Sequence, residues 1–370
     1  MALEAEGRDI IRLSVGEPDF DTPTHIKQAA IAAITAGATK YTALDGTAEL
    51  KTAIQQKLKR ENQLDYDLNQ ILVSNGAKQS CFNLCLALLD AGDEVIVPAP
   101  YWVSYPEMVR LADAEPVVVQ TAVNSGFLLQ PEQLADAITP ATRLVILNSP
   151  GNPTGGVYSR AAWVALGEVL LAHPEILILS DEIYEHIQWT GSAFSSFAAA
   201  VPELAGRTVT INGMSKGYAM SGWRIGYAAG PADLIRSMAA IQSQSTTNAC
   251  SISQAAAVAA LNGDQAPVRE MCAEFKARHD LVQPLLNNID GVSCAAGKGA
   301  FYLFADVTGV LKAKGLQDDV VFCEQLLKTT GLALVPGTAF GAPGFVRISF
   351  AASRATLQDA VARLERFARS

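Results

Sequence analysis

Short apolar runs alternate with amphipathic segments through the middle of the chain, from about residue 71 to residue 229. Runs of Val, Ile and Leu bounded by Gly, Pro or Asn are typical of buried strands, and the segments between them have the apolar spacing of helices. The runs lie at residues 70–75, 93–97, 144–147, 176–180, 209–211 and 225–229. This alternation predicts an α/β fold with a mostly parallel sheet wrapped by helices.

The pattern changes after residue 229. Residues 252–261 and 269–286 have helical periodicity, and residues 301–306 and 346–350 resemble strands. A chain of 370 residues exceeds one ordinary hydrophobic core, so we expect two lobes. The predicted large lobe is 21–279, and the predicted small lobe combines 1–20 with 280–370.

Candidate chemistry begins in the glycine-rich segment between two of the predicted strands. Lys216 and Arg224 lie there, near a strand end, where side chains reach a cleft. A lysine in surroundings that favour its neutral amine can form a Schiff base with an aldehyde cofactor. An arginine can hold a phosphate with its fork of donors.

The order Ser-Lys, a spacer and Gly-Trp-Arg-Ile-Gly at residues 215–226 resembles class I (fold type I) pyridoxal phosphate-dependent aminotransferases. The resemblance runs from Arg8 to Ala368 and is strongest to the bacterial aspartate/prephenate branch. It implies a large lobe with a mostly parallel seven-stranded sheet and helices on both faces, and a smaller α+β lobe built from both termini. It also implies pyridoxal 5′-phosphate on Lys216, with Ser215 and Arg224 binding the cofactor.

An apolar run ends abruptly in Asp181, with Tyr184 three residues later. A carboxylate at the carboxyl end of a buried strand needs a cationic partner, and a protonated pyridine nitrogen is one. We therefore predict that Asp181 binds the cofactor ring nitrogen and that Tyr184 donates to its phenolic oxygen. The alternative is that Asp181 caps a following helix and Tyr184 only packs.

Two loops supply further candidates for the ring. Asn152 lies in Ser-Pro-Gly-Asn-Pro-Thr-Gly, similar to the family's Asn-Pro-x-Asn-Pro-Thr-Gly, and the resemblance implies that its amide donates to the phenolic oxygen. Trp102 follows a strand in a proline-rich break, and the resemblance assigns it to stacking on the pyridine face. Both are also substrate-binding candidates; the alternatives are a turn asparagine and hinge packing.

Gly76, Ala77 and Lys78 open an amphipathic helix directly after a strand. Free amides at a helix start favour an anion, here the cofactor phosphate. Lys78 also matches the lysine that the bacterial branch uses toward the distal carboxylate of aspartate. The alternative for Lys78 is a solvated lysine in the first helical turn.

Three more residues bear on substrate and assembly. Arg347 lies in an alternating strand, and an inward arginine there suits an α-carboxylate, the role that the family gives it. The resemblance implies that the Gly16 backbone lines the substrate pocket, and the alternative is a turn glycine. It also implies that Tyr41 reaches the phosphate of a neighbouring subunit, so a homodimer is expected; by itself Tyr41 is an aromatic near a turn.

Charge and cysteine content narrow the function classes. The net charge of −9 argues against nucleic acid and anionic membranes as partners. The six cysteines lack metal-ligand spacing and are interpreted as reduced core thiols of a cytoplasmic protein; no metal is expected. No segment has the features of a signal peptide or an apolar span.

The predicted activity is amino transfer between L-aspartate or glutamate and 2-oxoglutarate or oxaloacetate, by a ping-pong Schiff-base mechanism. The alternatives are a prephenate or aromatic aminotransferase of the same branch, a lyase of the same fold, and a non-enzymatic cofactor-binding module. Family members carry an additional N-terminal arm with a substrate-contacting residue, whereas we expect this sequence to begin within the helix that follows that arm.

Overall fold

The computed structural model describes residues 6–370. The part of the predicted small lobe at residues 1–5, with the helix expected there, lies outside the described residues. The strands are β1 (Ile11–Arg12), β2 (Ile71–Ser74), β3 (Glu94–Ala99), β4 (Glu115–Gln120), β5 (Thr142–Asn148), β6 (Leu177–Asp181), β7 (Thr208–Gly213), β8 (Gly226–Ala229), β9 (Ser293–Cys294), β10 (Tyr302–Asp306), β11 (Leu332–Ala333), β12 (Val335–Pro336) and β13 (Phe345–Ser349). The α-helices are α1 (Thr24–Thr35), α2 (Ala48–Lys57), α3 (Ala77–Leu88), α4 (Ser104–Arg110), α5 (Pro131–Ala137), α6 (Arg160–Leu171), α7 (Phe197–Ala200), α8 (Ala232–Ser245), α9 (Ser251–Asn262), α10 (Ala266–Asn287), α11 (Thr308–Lys314), α12 (Asp319–Thr330) and α13 (Arg354–Arg369).

The large lobe is built on a seven-stranded sheet with the order β2-β8-β7-β6-β5-β3-β4. β8 is antiparallel to both of its neighbours, and the other pairs are parallel. The prediction of a mostly parallel seven-stranded sheet is therefore confirmed. Since Asn148 pairs with Asp181 and Gly213 with Gly226, the ends of these strands meet at one edge of the sheet.

The small lobe contains an antiparallel sheet with the order β12-β13-β10-β9. The N-terminal segment joins it through β1, which pairs in parallel with β11. One apolar core lies under this sheet and is formed mainly by residues of β10, α10, α12, β13 and α13. The predicted α+β small lobe built from both termini is thus confirmed in the described residues.

Local predictions differ from the structure mainly at the ends of elements. The helix that the alternative interpretation of Asp181 requires is absent from this segment, which is a turn in which Glu185 N donates to Glu182 O over 2.9 Å and Ile187 N donates to Tyr184 O over 2.8 Å. The chain then pairs Gln188 with Gly299 of the small lobe, which leaves no room for a helix to continue.

The cysteines are all free, but not all are core thiols. Cys250 is exposed and Cys272 is partly exposed, whereas Cys81, Cys85, Cys294 and Cys323 are buried. Across residues 6–370 we find no helix with the length and apolar character needed to cross a membrane.

Candidate active site

A cavity of about 490 Å³ lies at the strand-end edge of the large sheet, between the two lobes. The structure brings most of the predicted site residues together around it. Those that line the cavity are Gly16, Ala77, Lys78, Trp102, Asn152, Asp181, Tyr184, Ser215, Lys216, Arg224 and Arg347. Gly76 lies directly behind the lining, and Tyr41 lies elsewhere.

Lys216 enters the cavity from the loop after β7, with its Nζ donating to the carbonyl oxygen of Gly16. Its Nζ also lies 5.8 Å from the centre of the Phe301 ring. Burial lowers the pKa of Lys216 to about 8, and the Arg224 and Arg347 cations add to this effect against the opposing charges of Glu17 and Asp181. The amine is therefore far more available as a nucleophile at neutral pH than that of an ordinary lysine.

Asp181 ends β6 and is buried on the cavity wall. Its Oδ1 accepts from Ile183 N over 3.1 Å, and its Oδ2 accepts from Tyr105 Oη over 2.6 Å. Burial raises the pKa of Asp181, while the hydrogen bonds of Tyr105 and Ile183 oppose that rise. A cation placed in the cavity would satisfy this carboxylate, as the sequence predicts.

The sequence analysis does not identify Tyr105 as a site residue. Tyr105 lies three residues after Trp102, in the first turn of α4, and the two rings meet edge to face with centres 5.2 Å apart. An aromatic with a polar end, placed three residues after a cavity tryptophan, was the available signal. Only the sheet register, however, brings its hydroxyl to Asp181.

Tyr184 is buried in the turn after β6, and its hydroxyl lies 2.8 Å from that of Tyr302 on β10. Tyr302 also lines the cavity and was not predicted. Because side chains alternate along a strand, the sequence indicates only that Tyr302 lies on one face of the small sheet. It does not predict that the Tyr302 hydroxyl contacts Tyr184.

Arg347 is buried on β13 and faces the cavity from the small lobe. Its Nη2 donates to Ser14 O over 2.7 Å and its Nη1 donates to Asn152 Oδ1 over 3.0 Å. Because the Asn152 oxygen is engaged, its amide nitrogen is the end left to donate into the cavity. The Nε of Arg347 is buried and has no hydrogen-bond partner, so the guanidinium keeps donor capacity for an anionic ligand.

An anion cradle lies where β2 turns into α3. Gly76 has φ +85°, and a Cβ there would lie 2.2 Å from Arg224 Nη2, so the site requires glycine. Arg224 is held by the carbonyl oxygens of Ser221 at 2.9 Å and Asn75 at 3.2 Å. The first amides of α3, which a helix leaves without internal partners, open toward the same space.

Trp102 and Lys78 line the cavity side by side, next to the cradle. Lys78 Nζ lies 4.8 Å from the centre of the Trp102 ring, and its side chain is exposed. Tyr41, by contrast, is 90% exposed and does not line this cavity. The predicted contact of Tyr41 with the phosphate of a neighbouring subunit stays a prediction.

A sheet whose strand ends surround a lysine of lowered pKa, a buried carboxylate and two arginines is the arrangement that the sequence analysis predicts for a fold type I enzyme with a pyridoxal phosphate site. The profile of one family, described as aminotransferase class I and II, matches residues 8–364. The chain belongs to this family, is an aminotransferase, and uses pyridoxal 5′-phosphate as its cofactor.

Individual relatives agree in sequence and structure. An aspartate/prephenate aminotransferase from Nitrosomonas europaea is 52% identical over 368 residues, covering 98% of this chain and 93% of the relative. The crystal structure of an aspartate aminotransferase from Rhizobium meliloti matches with a TM-score of 0.96 at 51% identity, covering 100% of this chain and 93% of that one. The aspartate aminotransferase from Thermus thermophilus with maleate matches with a TM-score of 0.93 at 42% identity, over 99% and 94% of the two chains.

The residues around the cavity fit this cofactor. The cradle at Gly76, where any Cβ would collide with Arg224, suits a phosphate. The buried carboxylate of Asp181 suits a protonated ring nitrogen, and the unpartnered Arg347 Nε suits a bound carboxylate. When bound, pyridoxal phosphate supplies an electron sink for the electrons released at the α-carbon of the amino acid.

Proposed function

We propose that this protein is an aspartate aminotransferase that exchanges the amino group between dicarboxylic amino acids and oxo acids in two successive half-reactions. The observation that carries the proposal is the pair of cations that line one cavity from the two lobes. Lys78 comes from the large lobe and Arg347 from the small lobe, and both line the cavity that holds Lys216. A substrate with two carboxylates would satisfy both, and the relatives named for aspartate support this choice.

The proposed roles follow from the contacts of each side chain. Arg347 binds the α-carboxylate through its unused donors, and its hydrogen bonds to Ser14 and Asn152 fix the plane of the guanidinium. The Gly16 carbonyl oxygen, which accepts from Lys216, lies on the same side and closes the substrate pocket.

Lys216 is the proposed proton carrier. Its lowered pKa means that the free amine can accept a proton from the substrate α-carbon at neutral pH and return it. Asp181 would hold the ring nitrogen in its protonated form, and Tyr184 and Asn152 would donate to the phenolic oxygen. Arg224, Ser215 and the amides after Gly76 would bind the phosphate, with Trp102 against the ring.

We also propose a homodimer in which Tyr41 reaches the phosphate of the neighbouring site, since its exposed side chain has no part in its own. We propose that the protein is cytoplasmic, and the free cysteines support this location because thiols stay reduced there.

Substitution of Lys78 tests the substrate class. Lys78→Ala should lower kcat/KM for aspartate and glutamate by about tenfold to a hundredfold, about 1.4 to 2.8 kcal/mol, because it removes one charge partner at a partly solvated position. Rates with alanine and phenylalanine should change little. Prephenate, a dicarboxylate with a ring, should follow aspartate if it is a substrate.

The control is Lys59→Ala, which removes an exposed lysine outside the cavity and should leave all rates unchanged. An equal loss for every substrate would assign Lys78 to the phosphate or to folding and would contradict the dicarboxylate proposal.

A further inference from the structure

Tyr302 lies at the meeting point of the two lobes, and its contacts reach three parts of the site. It is buried on β10, directly opposite Ser349, so Arg347 is its diagonal neighbour on the same face. The carbon centre of the Arg347 guanidinium lies 4.6 Å from the centre of the Tyr302 ring. This cation–π contact supports one face of the guanidinium and does not use its Nε donor, which has no hydrogen-bond partner.

The hydroxyl of Tyr302 makes the second contact, at 2.8 Å from the hydroxyl of Tyr184. The geometry allows either oxygen to be the donor. A cation over the Tyr302 ring draws electron density from that phenol and makes it the better donor of the two. If Tyr302 donates in this hydrogen bond, the Tyr184 oxygen accepts and the Tyr184 proton is free to donate to another group. Because Tyr184 lines the cavity, that group would lie in the cavity.

The third contact is steric. A Cβ on Gly16 would lie 2.6 Å from Tyr302 Oη, so the hydroxyl fills the space that any larger residue would need. Gly16 provides the carbonyl oxygen that accepts from Lys216, and Ser14 in the same segment accepts from Arg347. The position of the Tyr302 hydroxyl therefore also limits where this segment can lie.

We propose that Tyr302 is a positioning residue that donates its hydroxyl proton to Tyr184, thereby directs the Tyr184 proton into the cavity, and supports the Arg347 guanidinium with its ring. The inference rests on the roles proposed above for Tyr184 at the cofactor phenolic oxygen and Arg347 at the α-carboxylate. A donor that is itself polarised by an incoming hydrogen bond donates more strongly, so Tyr302 strengthens the Tyr184 contact without touching the cofactor.

The test separates the hydroxyl from the ring. In the holoenzyme, the pH at which the visible absorption band changes reports the proton that the cofactor phenolic oxygen shares with the Lys216 nitrogen joined to the cofactor. Tyr302→Phe should move this midpoint upward by about half a pH unit, because a weaker donor stabilises the ionised oxygen less. Its KM for amino acids should stay near the wild-type value, since the ring remains under Arg347. Tyr302→Leu should give the same spectral shift and, in addition, raise KM several-fold.

Tyr184→Phe should shift the midpoint further than Tyr302→Phe and should make the Tyr302 substitution silent in the double variant. The matched control is Tyr158→Phe, which removes a buried hydroxyl that accepts from Leu129 N outside the cavity, and which should leave the spectrum unchanged. An unchanged midpoint in Tyr302→Phe beside a shifted one in Tyr184→Phe would overturn the inference alone. An unchanged midpoint in both would overturn the proposed role of Tyr184.

The cofactor-free protein provides an independent check. Urea unfolding shows whether each variant folds, and Gly16→Ala should be less destabilising in the Tyr302→Phe background, where the colliding hydroxyl is gone. If Tyr302→Phe does not fold, Gly16→Ala displaces the same hydroxyl with both tyrosines present and should raise the spectral midpoint. No rise in that variant would overturn the inference.

Discussion

At pH 7 an ordinary lysine, with a pKa near 10.4, has about one neutral amine in a few thousand. In Lys216 the pKa is lowered to about 8, chiefly by burial, which corresponds to about one neutral amine in ten. The position of Lys216 between the lobes thus favours its neutral amine, because partial burial and the nearby Arg224 and Arg347 cations disfavour its protonated form.

The pH dependence of Lys216 follows from this shift. In the cofactor-free protein, labelling of Lys216 by acetic anhydride should rise with pH to half its plateau near pH 8. The exposed Lys59 in the same digest is the reference curve, followed peptide by peptide by mass spectrometry. Because the unfolded chain keeps its proton to higher pH, the contribution of Lys216 to stability should increase between about pH 8 and 10.5. A Lys216 curve that superimposes on that of Lys59 would contradict the lowered pKa.

Among the elements, α2 is fixed to the turn after β6 by a buried ionic network. Lys57, the last residue of α2, forms an ion pair with Glu185 and donates to Asn62 Oδ1 over 2.7 Å. Burial would raise the pKa of Glu185, but Lys57, His186 and Asn62 together outweigh it and hold the pKa below its ordinary value. Glu61, Glu185 and His186 approach one another closely enough to hold an ion, and the Lys57 ammonium already supplies the positive charge there.

Removal of Lys57 should therefore be costly. Lys57→Met leaves Glu185 as a buried charge without its cation and should lower the free energy of unfolding in urea by about 3 to 5 kcal/mol. Lys57→Met combined with Glu185→Leu should recover part of that loss. The control is Lys59→Met, two residues away, whose partner Asp65 is also exposed and whose loss should cost less than about 1 kcal/mol. Similar losses in the two single variants would show that the buried pair has no special weight.

In the whole molecule, we propose that the lobes divide at the boundary between 21–279 and the two segments 1–20 and 280–370. Separate apolar cores on either side support this division, with α10 running through residue 279 and contributing to the small-lobe core. Backbone contacts between the lobes hold them together, since Gly155 O accepts from Lys298 N at 2.8 Å and from Gly299 N at 3.1 Å.

The proposed dimer predicts that two impaired variants can restore activity in a mixed dimer, because each site would combine Lys216 of one subunit with Tyr41 of the other. In a hybrid dimer of one Lys216→Ala subunit and one Tyr41→Ala subunit, one site receives both defects and the other receives neither. Mixing the two impaired variants should therefore restore up to about half of the wild-type activity per hybrid, measured after exchange of the subunits. No recovery in hybrids verified by mass would mean that Tyr41 serves its own chain or no site.

The sequence alone was sufficient for the sheet, because strands buried on both faces must be continuous apolar runs and the loops between them need Gly and Pro. It also indicated Lys216, Asp181 and Arg347, whose residue types and spacing are specific to one chemistry. It did not reveal the Tyr105 contact to Asp181 or the support of Arg347 by Ser14, which lies 333 positions away. Such contacts depend on how strands and lobes pack, and many sequences with the same local pattern would place other groups there. The tertiary structure alone therefore decided which hydroxyls and carbonyl oxygens hold the predicted site residues in place.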